Sequence, residues 1–154
     1  MSDRIRLALL ILVLVAFISA RAGGALGATA RTQHTSARQA HVVTYARHLL
    51  GIRYSYGGTS PRSGFDCSGF TRFVFAHFGV ALPHYSVAQF NLGRRVARRS
   101  LKPGDLVFFD GLGHVGIYIG RGRFILEPHT GTRVSVEQLR GWYSARLVGA
   151  RRVL

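Results

Sequence analysis

The stretch His114-Val115-Gly116-Ile117-Tyr118-Ile119-Gly120-Arg121-Gly122-Arg123-Phe124-Ile125-Leu126-Glu127 decides the fold. Two runs rich in β-branched and aromatic residues flank Gly120-Arg121-Gly122, where glycine supplies the positive φ that a tight hairpin needs. Similar short runs lie on either side, Asp105–Phe109 before it and Thr132–Val136 and Arg146–Val153 after it, separated by turns such as Thr130-Gly131. Before Gly93 the period changes. Val42, Val43, Ala46, Leu49 and Leu50 recur at helical spacing, and Gly51 supplies a stop. Phe70, Phe73, Val74 and Phe78 mark a second helix from about Cys67, ended by Gly79, and a short helix near Val87–Asn91 follows Leu82-Pro83. Residues 52–65 read as a loop with little regular structure. Helices first and a meander of strands afterwards predict an α+β domain, with N-terminal helices packed on an antiparallel sheet of five to six strands.

The N-terminal part of the chain is a different material. Ser2-Asp3-Arg4-Ile5-Arg6 is basic, Leu7 to Ile18 is an unbroken apolar run, and small residues follow in Ser19-Ala20 and Ala25-Leu26-Gly27-Ala28-Thr29-Ala30. That order is the pattern of a secretory signal, and the apolar run is short for a bilayer span. An uncleaved anchor is the minor alternative. The expected division is therefore a signal segment over residues 1–30, a flexible linker over 31–37 and one domain over 38–154. Its expected location is outside the cytoplasm, periplasmic or extracellular.

Cys67 is the single cysteine of the 154 residues and lies in Phe65-Asp66-Cys67-Ser68-Gly69-Phe70. In an oxidising compartment an unpaired thiol is a liability unless it does chemistry. A cysteine at a helix start also meets the positive end of the helix dipole, which lowers the thiol pKa and favours the thiolate nucleophile. A histidine brought alongside by the fold completes a Cys–His pair. His34, His41, His48 and His77 read as solvated, and His84 as a residue of a cleft rim. No two histidines or acids sit at ligand spacing, so neither a metal nor another cofactor is expected.

The chain carries 21 basic and 6 acidic residues, +15, and every basic residue but Lys102 is arginine. Such a surface is drawn to polyanions. Arginine pairs at 94–95, 98–99 and 151–152 are spread along the chain, with no zinc-finger spacing, ribonucleoprotein motif or phosphate loop beside them. For an exported protein this points to anionic cell-wall polymer or a membrane surface rather than to a specific nucleic acid.

Five short motifs occur in a meaningful order: Tyr54-Ser55-Tyr56-Gly57-Gly58, Phe65–Phe70, Leu82-Pro83, Leu101–Phe109 and His114–Gly120. With them the chain resembles, over about residues 40–153, the NlpC-type family of cell-wall cysteine peptidases. The resemblance implies a papain-like core and a hydrolase of peptidoglycan stem peptides, commonly at the bond between D-glutamate and a diamino acid; a monomer is expected. It makes Cys67 the nucleophile and His114 the general base, and it places Tyr54, Asp66 and Ser68 along the substrate cleft. Asp66 and Ser68 are equally suited to capping the helix. The family's third, orienting histidine has no counterpart here, because Leu126 occupies its position. Strand alternation turns Glu127 to the opposite face, and His129 is the candidate third member if the chain bends at Pro128. An amidase or acyltransferase on the same scaffold, or a wall-binding module with weakened catalysis, are the alternatives.

Overall fold

The computed structural model describes residues 30–154, and the signal segment expected over residues 1–30 lies, but for Ala30, outside the described residues. Residues 31–37, expected as a flexible linker, are helical. Alanine, arginine and glutamine favour that state, and the Thr35 hydroxyl donates to the Arg31 carbonyl at 3.0 Å. The main compact unit is Arg38–Leu154. No helix among the described residues is long and apolar enough to cross a membrane.

The unit opens with helical residues 38–48 (α1), which bury Val42, Val43 and Ala46 on one face. Gly51 ends the segment at φ +84°, and its N–H donates to the Val134 carbonyl. The expected loop contains a small antiparallel pair, β1 (Thr59–Ser60) and β2 (Gly64–Phe65). Then come α2 (Cys67–Ala76) and α3 (Ser86–Phe90), close to the bounds read from their periodicity. The strands are β3 (Arg94–Val96), β4 (Leu106–Phe109), β5 (His114–Gly120), β6 (Arg123–Leu126), β7 (Ser135–Gln138) and β8 (Leu147–Arg152), with a short α4 (Gly141–Ala145) before the last. They form one antiparallel sheet in the order β3-β8-β4-β5-β6-β7.

Alternation divides the strands between two cores. Leu106, Phe108, Val115, Ile117 and Ile125 meet the helices, where Phe70, Val74 and Phe75 of α2 are fully buried. Val107, Phe109, Tyr118, Phe124 and Leu126 form a second layer beneath Leu139 and Tyr143. This covering of the far face explains why β4 reads as an unbroken apolar run rather than an alternating one. β3, α4 and the β1–β2 pair were not legible in the sequence. Each is too short for a period to show, and each is held by its neighbours.

The neighbouring strands β4 and β8 are tied at one end by a buried ion pair. Arg152 Nε and Nη2 each donate to Asp105 at 2.6 Å, and the same carboxylate accepts the Lys102 N–H at 2.7 Å. Asp105 is fully buried, so removing its charge strands the guanidinium. Asp105→Ala should cost about 3–5 kcal/mol, read as a lower urea midpoint of unfolding at unchanged m-value.

Candidate active site

Asp66 caps α2 and organises the site. Its Oδ1 accepts the Gly69 N–H at 2.7 Å and the Ser68 hydroxyl at 3.1 Å. Its Oδ2 accepts the Gly57 N–H at 3.1 Å and pairs with His84 Nε2 at 2.8 Å. The Asp66 N–H in turn donates to the Gly58 carbonyl. The Tyr-Gly-Gly loop thus lies directly on the first turn of α2, and a Cβ at Gly69 would overlap the Gly58 carbonyl oxygen. That contact is the physical reason for glycine after Cys-Ser.

Cys67 is the first residue of α2 and His114 the first of β5. Both open into a cleft of about 330 Å³, which Tyr54, Asp66, Ser68, His84 and Ser86 also line. The structure therefore brings Cys67, His114, Tyr54, Asp66 and Ser68 to one place. Ser68 is nearly enclosed, which fits its bond to Asp66. The turn before β5 runs through positive φ at Asp110 (51°), Gly111 (62°) and Leu112 (75°). Such a conformation persists only where its surroundings impose it. Here the Ser86 hydroxyl donates to the Leu112 carbonyl at 2.6 Å, and the Asp110 N–H to the Arg146 carbonyl. The turn delivers the Gly113 carbonyl to 3.7 Å from Cys67 Sγ and starts β5 at His114. Ser86 and Gln89 were missed in the sequence. Gln89 is wholly buried and donates to the Ser68 and Pro83 carbonyls while accepting from Thr71, fixing α3 against α2. An isolated glutamine or serine carries no pattern that signals this.

Behind His114 is a second, small cavity of about 50 Å³, bordered by Leu126, Pro128, His129, Trp142 and Tyr143. His114 Nδ1 is buried without a hydrogen-bond partner. His129 reaches this cavity but does not bond to His114; its Nδ1 contacts the Thr130 carbonyl at 3.0 Å. Leu126 belongs to the second core, so the position beside His114 is apolar. Glu127 is fully buried, and its Oε2 accepts from the Thr132 hydroxyl at 3.4 Å. Burial pushes its carboxyl up to about 7, against the opposing effects of Thr132 and the charge of His129.

The protonation states differ from those expected of a helix-start cysteine. Burial pushes the Cys67 thiol up. The Val115 N–H opposes that rise, the Asp66 charge adds to it, and the N–H groups of Ser68 and Cys67 oppose it more weakly. Burial also lowers the His114 imidazole, with Asp110 opposing and His129 adding to the fall. Desolvation, the largest influence on both groups, thus opposes the formation of a thiolate–imidazolium pair in the free site. Burial raises the Tyr54 phenol too, with the charges of Asp66 and Cys67 behind it.

Comparison with known proteins agrees with the motif order and the cleft. The model described as the NlpC/P60 family matches residues 51–152. The chain belongs to the NlpC/P60 family. It is 44% identical over 115 residues to the probable endopeptidase p60 of Listeria innocua, covering 73% of this chain and 24% of that protein. It is 37% identical over 118 residues to the gamma-DL-glutamyl hydrolase of Bacillus subtilis, covering 72% and 28%. The chain thus spans about a quarter of the length of these curated relatives. A solved NlpC/P60 family protein from Bacillus cereus superposes with a TM-score of 0.70 at 35% identity, over 73% of this chain and 39% of that one. The solved NlpC/p60 domain of the peptidoglycan hydrolase SagA gives a TM-score of 0.67 at 34% identity, over 74% and 97%. These likenesses establish the α+β, papain-like fold for this NlpC/P60 domain.

With burial raising the Cys67 thiol, iodoacetamide labelling of the folded protein should be slow at pH 6. It should rise with a midpoint above the ordinary thiol value of about 8.5. A labelling rate already on its plateau at pH 6 is the contrary result.

Proposed function

We propose that this chain is an exported cysteine endopeptidase that hydrolyses peptidoglycan stem peptides, at the bond between D-glutamate and a diamino acid. The observation that carries the reading is the convergence of Cys67 and His114, from two different elements, on one cleft. The relatives named as endopeptidases and as a gamma-DL-glutamyl hydrolase support the substrate class. The basic, apolar and small-residue order of residues 1–30 supports export.

In this reading His114 takes the Cys67 proton as the sulfur attacks the scissile carbonyl, so the ion pair forms with the reaction rather than before it. The Cys67 N–H and the Tyr54 hydroxyl hold the oxyanion. His114 then passes the proton to the departing amine, leaving a thioester. Water, giving a proton to His114, hydrolyses the thioester to the carboxylic acid and restores the thiol. Asp66 and Ser68 border the substrate while holding the helix start in place. His129 acts as the third member through the small cavity, as a positioning residue without a direct bond. A second reading, a wall-binding module with weakened turnover, is favoured by one observation: the apolar Leu126 beside His114.

Digestion of purified peptidoglycan with mass analysis of the released fragments separates these readings. The endopeptidase should release fragments with a new diamino-acid N-terminus, and Cys67→Ala should reduce them by at least ~10³-fold. Binding without release would establish the module instead. His129→Ala should lower the rate only about tenfold, against ~10⁴ for loss of a directly bonded orienting group. An unchanged rate would remove His129 from the site.

A further inference from the structure

The edge of the sheet formed by β3 and β8 carries a concentration of positive charge that the cleft does not use. In the β3–β8 ladder Arg94 lies opposite Arg152 and Arg95 opposite Arg151. Arg98 and Arg99 follow on the next turn, and Arg94, Arg95, Arg98 and Arg99 are all exposed. Arginines placed directly across a strand pair repel each other. Only one of the four ladder arginines is neutralised, Arg152 by Asp105. Arg151 lies over the Phe90 ring, 4.0 Å from its centre, and its Nε donates to the Phe90 carbonyl. The remaining acids among the described residues are engaged elsewhere: Asp66 with His84, Asp110 with Arg146, Glu137 with Ser135, and Glu127 buried. Arg94, Arg95, Arg98, Arg99 and Arg151 therefore have no acidic partner.

The shape of this edge suits a chain-like anion. β3 ends at Val96, opposite Ala150, so Leu147–Gly149 of β8 continue without a neighbouring strand on that side. Two grooves open there, of about 310 and 440 Å³. They share Val96 and Val148–Ala150, with Arg98 bordering one and Arg95 and Arg151 the other. Guanidinium groups flanking a recessed strand edge offer paired donors to phosphate oxygens. Phe90 is the single aromatic lining residue, and its ring is covered by Arg151, so nucleic-acid bases have no free face on which to stack. A recessed groove also fits one polymer strand better than the plane of a bilayer.

We propose that the β3–β8 edge is a binding site for a linear phosphodiester polyanion of the cell envelope, separate from the cleft that holds Cys67. The choice of an envelope polymer rests on the wall-hydrolase reading; the groove and its charge do not. Bound there, the polymer relieves the arginine–arginine repulsion and holds the enzyme at the wall while the cleft works on stem peptides.

The test is fluorescence anisotropy with a labelled poly(glycerol phosphate) and the full mature chain between about 50 and 200 mM salt. Binding should weaken steeply with salt. Arg95→Gln with Arg98→Gln should raise Kd about tenfold and reduce the slope of log K against log salt by roughly 0.7–0.9 per arginine. Arg62→Gln with Arg72→Gln, equally exposed but elsewhere, should change Kd less than about twofold. Equal losses in the two double variants would overturn the site and leave only non-specific charge. So would tighter Arg95- and Arg98-dependent binding to oligothymidylate or to phosphatidylglycerol vesicles of matched charge, since either reassigns the groove. Both double variants should cleave a soluble stem peptide at the wild-type rate. If wild-type protein binds the polymer but cleaves no stem peptide, the hydrolase reading fails and the groove stands.

Discussion

The carboxylate of Asp66 is the interaction on which the rest of the site depends. Four donors from three segments converge on it: Gly57 from the loop, Ser68 and Gly69 from the helix start, and His84 from the approach to α3. A helix start leaves N–H groups unsatisfied, and a side-chain oxygen at the cap resolves part of that cost. Here the same group also secures the loop that carries Tyr54 and the histidine on the opposite rim. Capping and cleft formation are therefore one event, and Cys67, the next residue, is placed by it.

The opposite wall is held by strain rather than by a cap. Three consecutive positive φ angles before His114 persist because Ser86 and the Arg146 carbonyl engage that turn. The consequence is chemical. Cys67 and His114 are each partly withdrawn from water, and the desolvation that raises the thiol also lowers the imidazole. Burial therefore works against separating charge between sulfur and imidazole before a substrate carbonyl arrives.

Charge is divided across the molecule in a way that follows from its few acids. Each acid among the described residues is committed to a structural task or to the cleft, so the arginines of the β3–β8 edge other than Arg152 stand uncompensated. The sheet tolerates them because β3 is a short edge strand, whose side chains reach solvent.

How much could be read beforehand depended on the range of the forces involved. Periodicity and turn chemistry are local, so the sequence alone determined α2, α3, the β5–β6 hairpin and the sheet class, and motif order pointed to Cys67, His114, Tyr54, Asp66 and Ser68. The helical state of residues 31–37, the short β3 and the cover over the second face were not legible, because weak propensities there are decided by what lies alongside. The pairing of His84 with Asp66 and the roles of Ser86 and Gln89 were hidden for the same reason: a hydrogen bond between residues 18 to 26 positions apart leaves no spacing signature. Nor could the direction of the thiol's pKa be read. The helix dipole belongs to the local sequence, but burial, the largest influence on the Cys67 thiol, belongs to the packed fold.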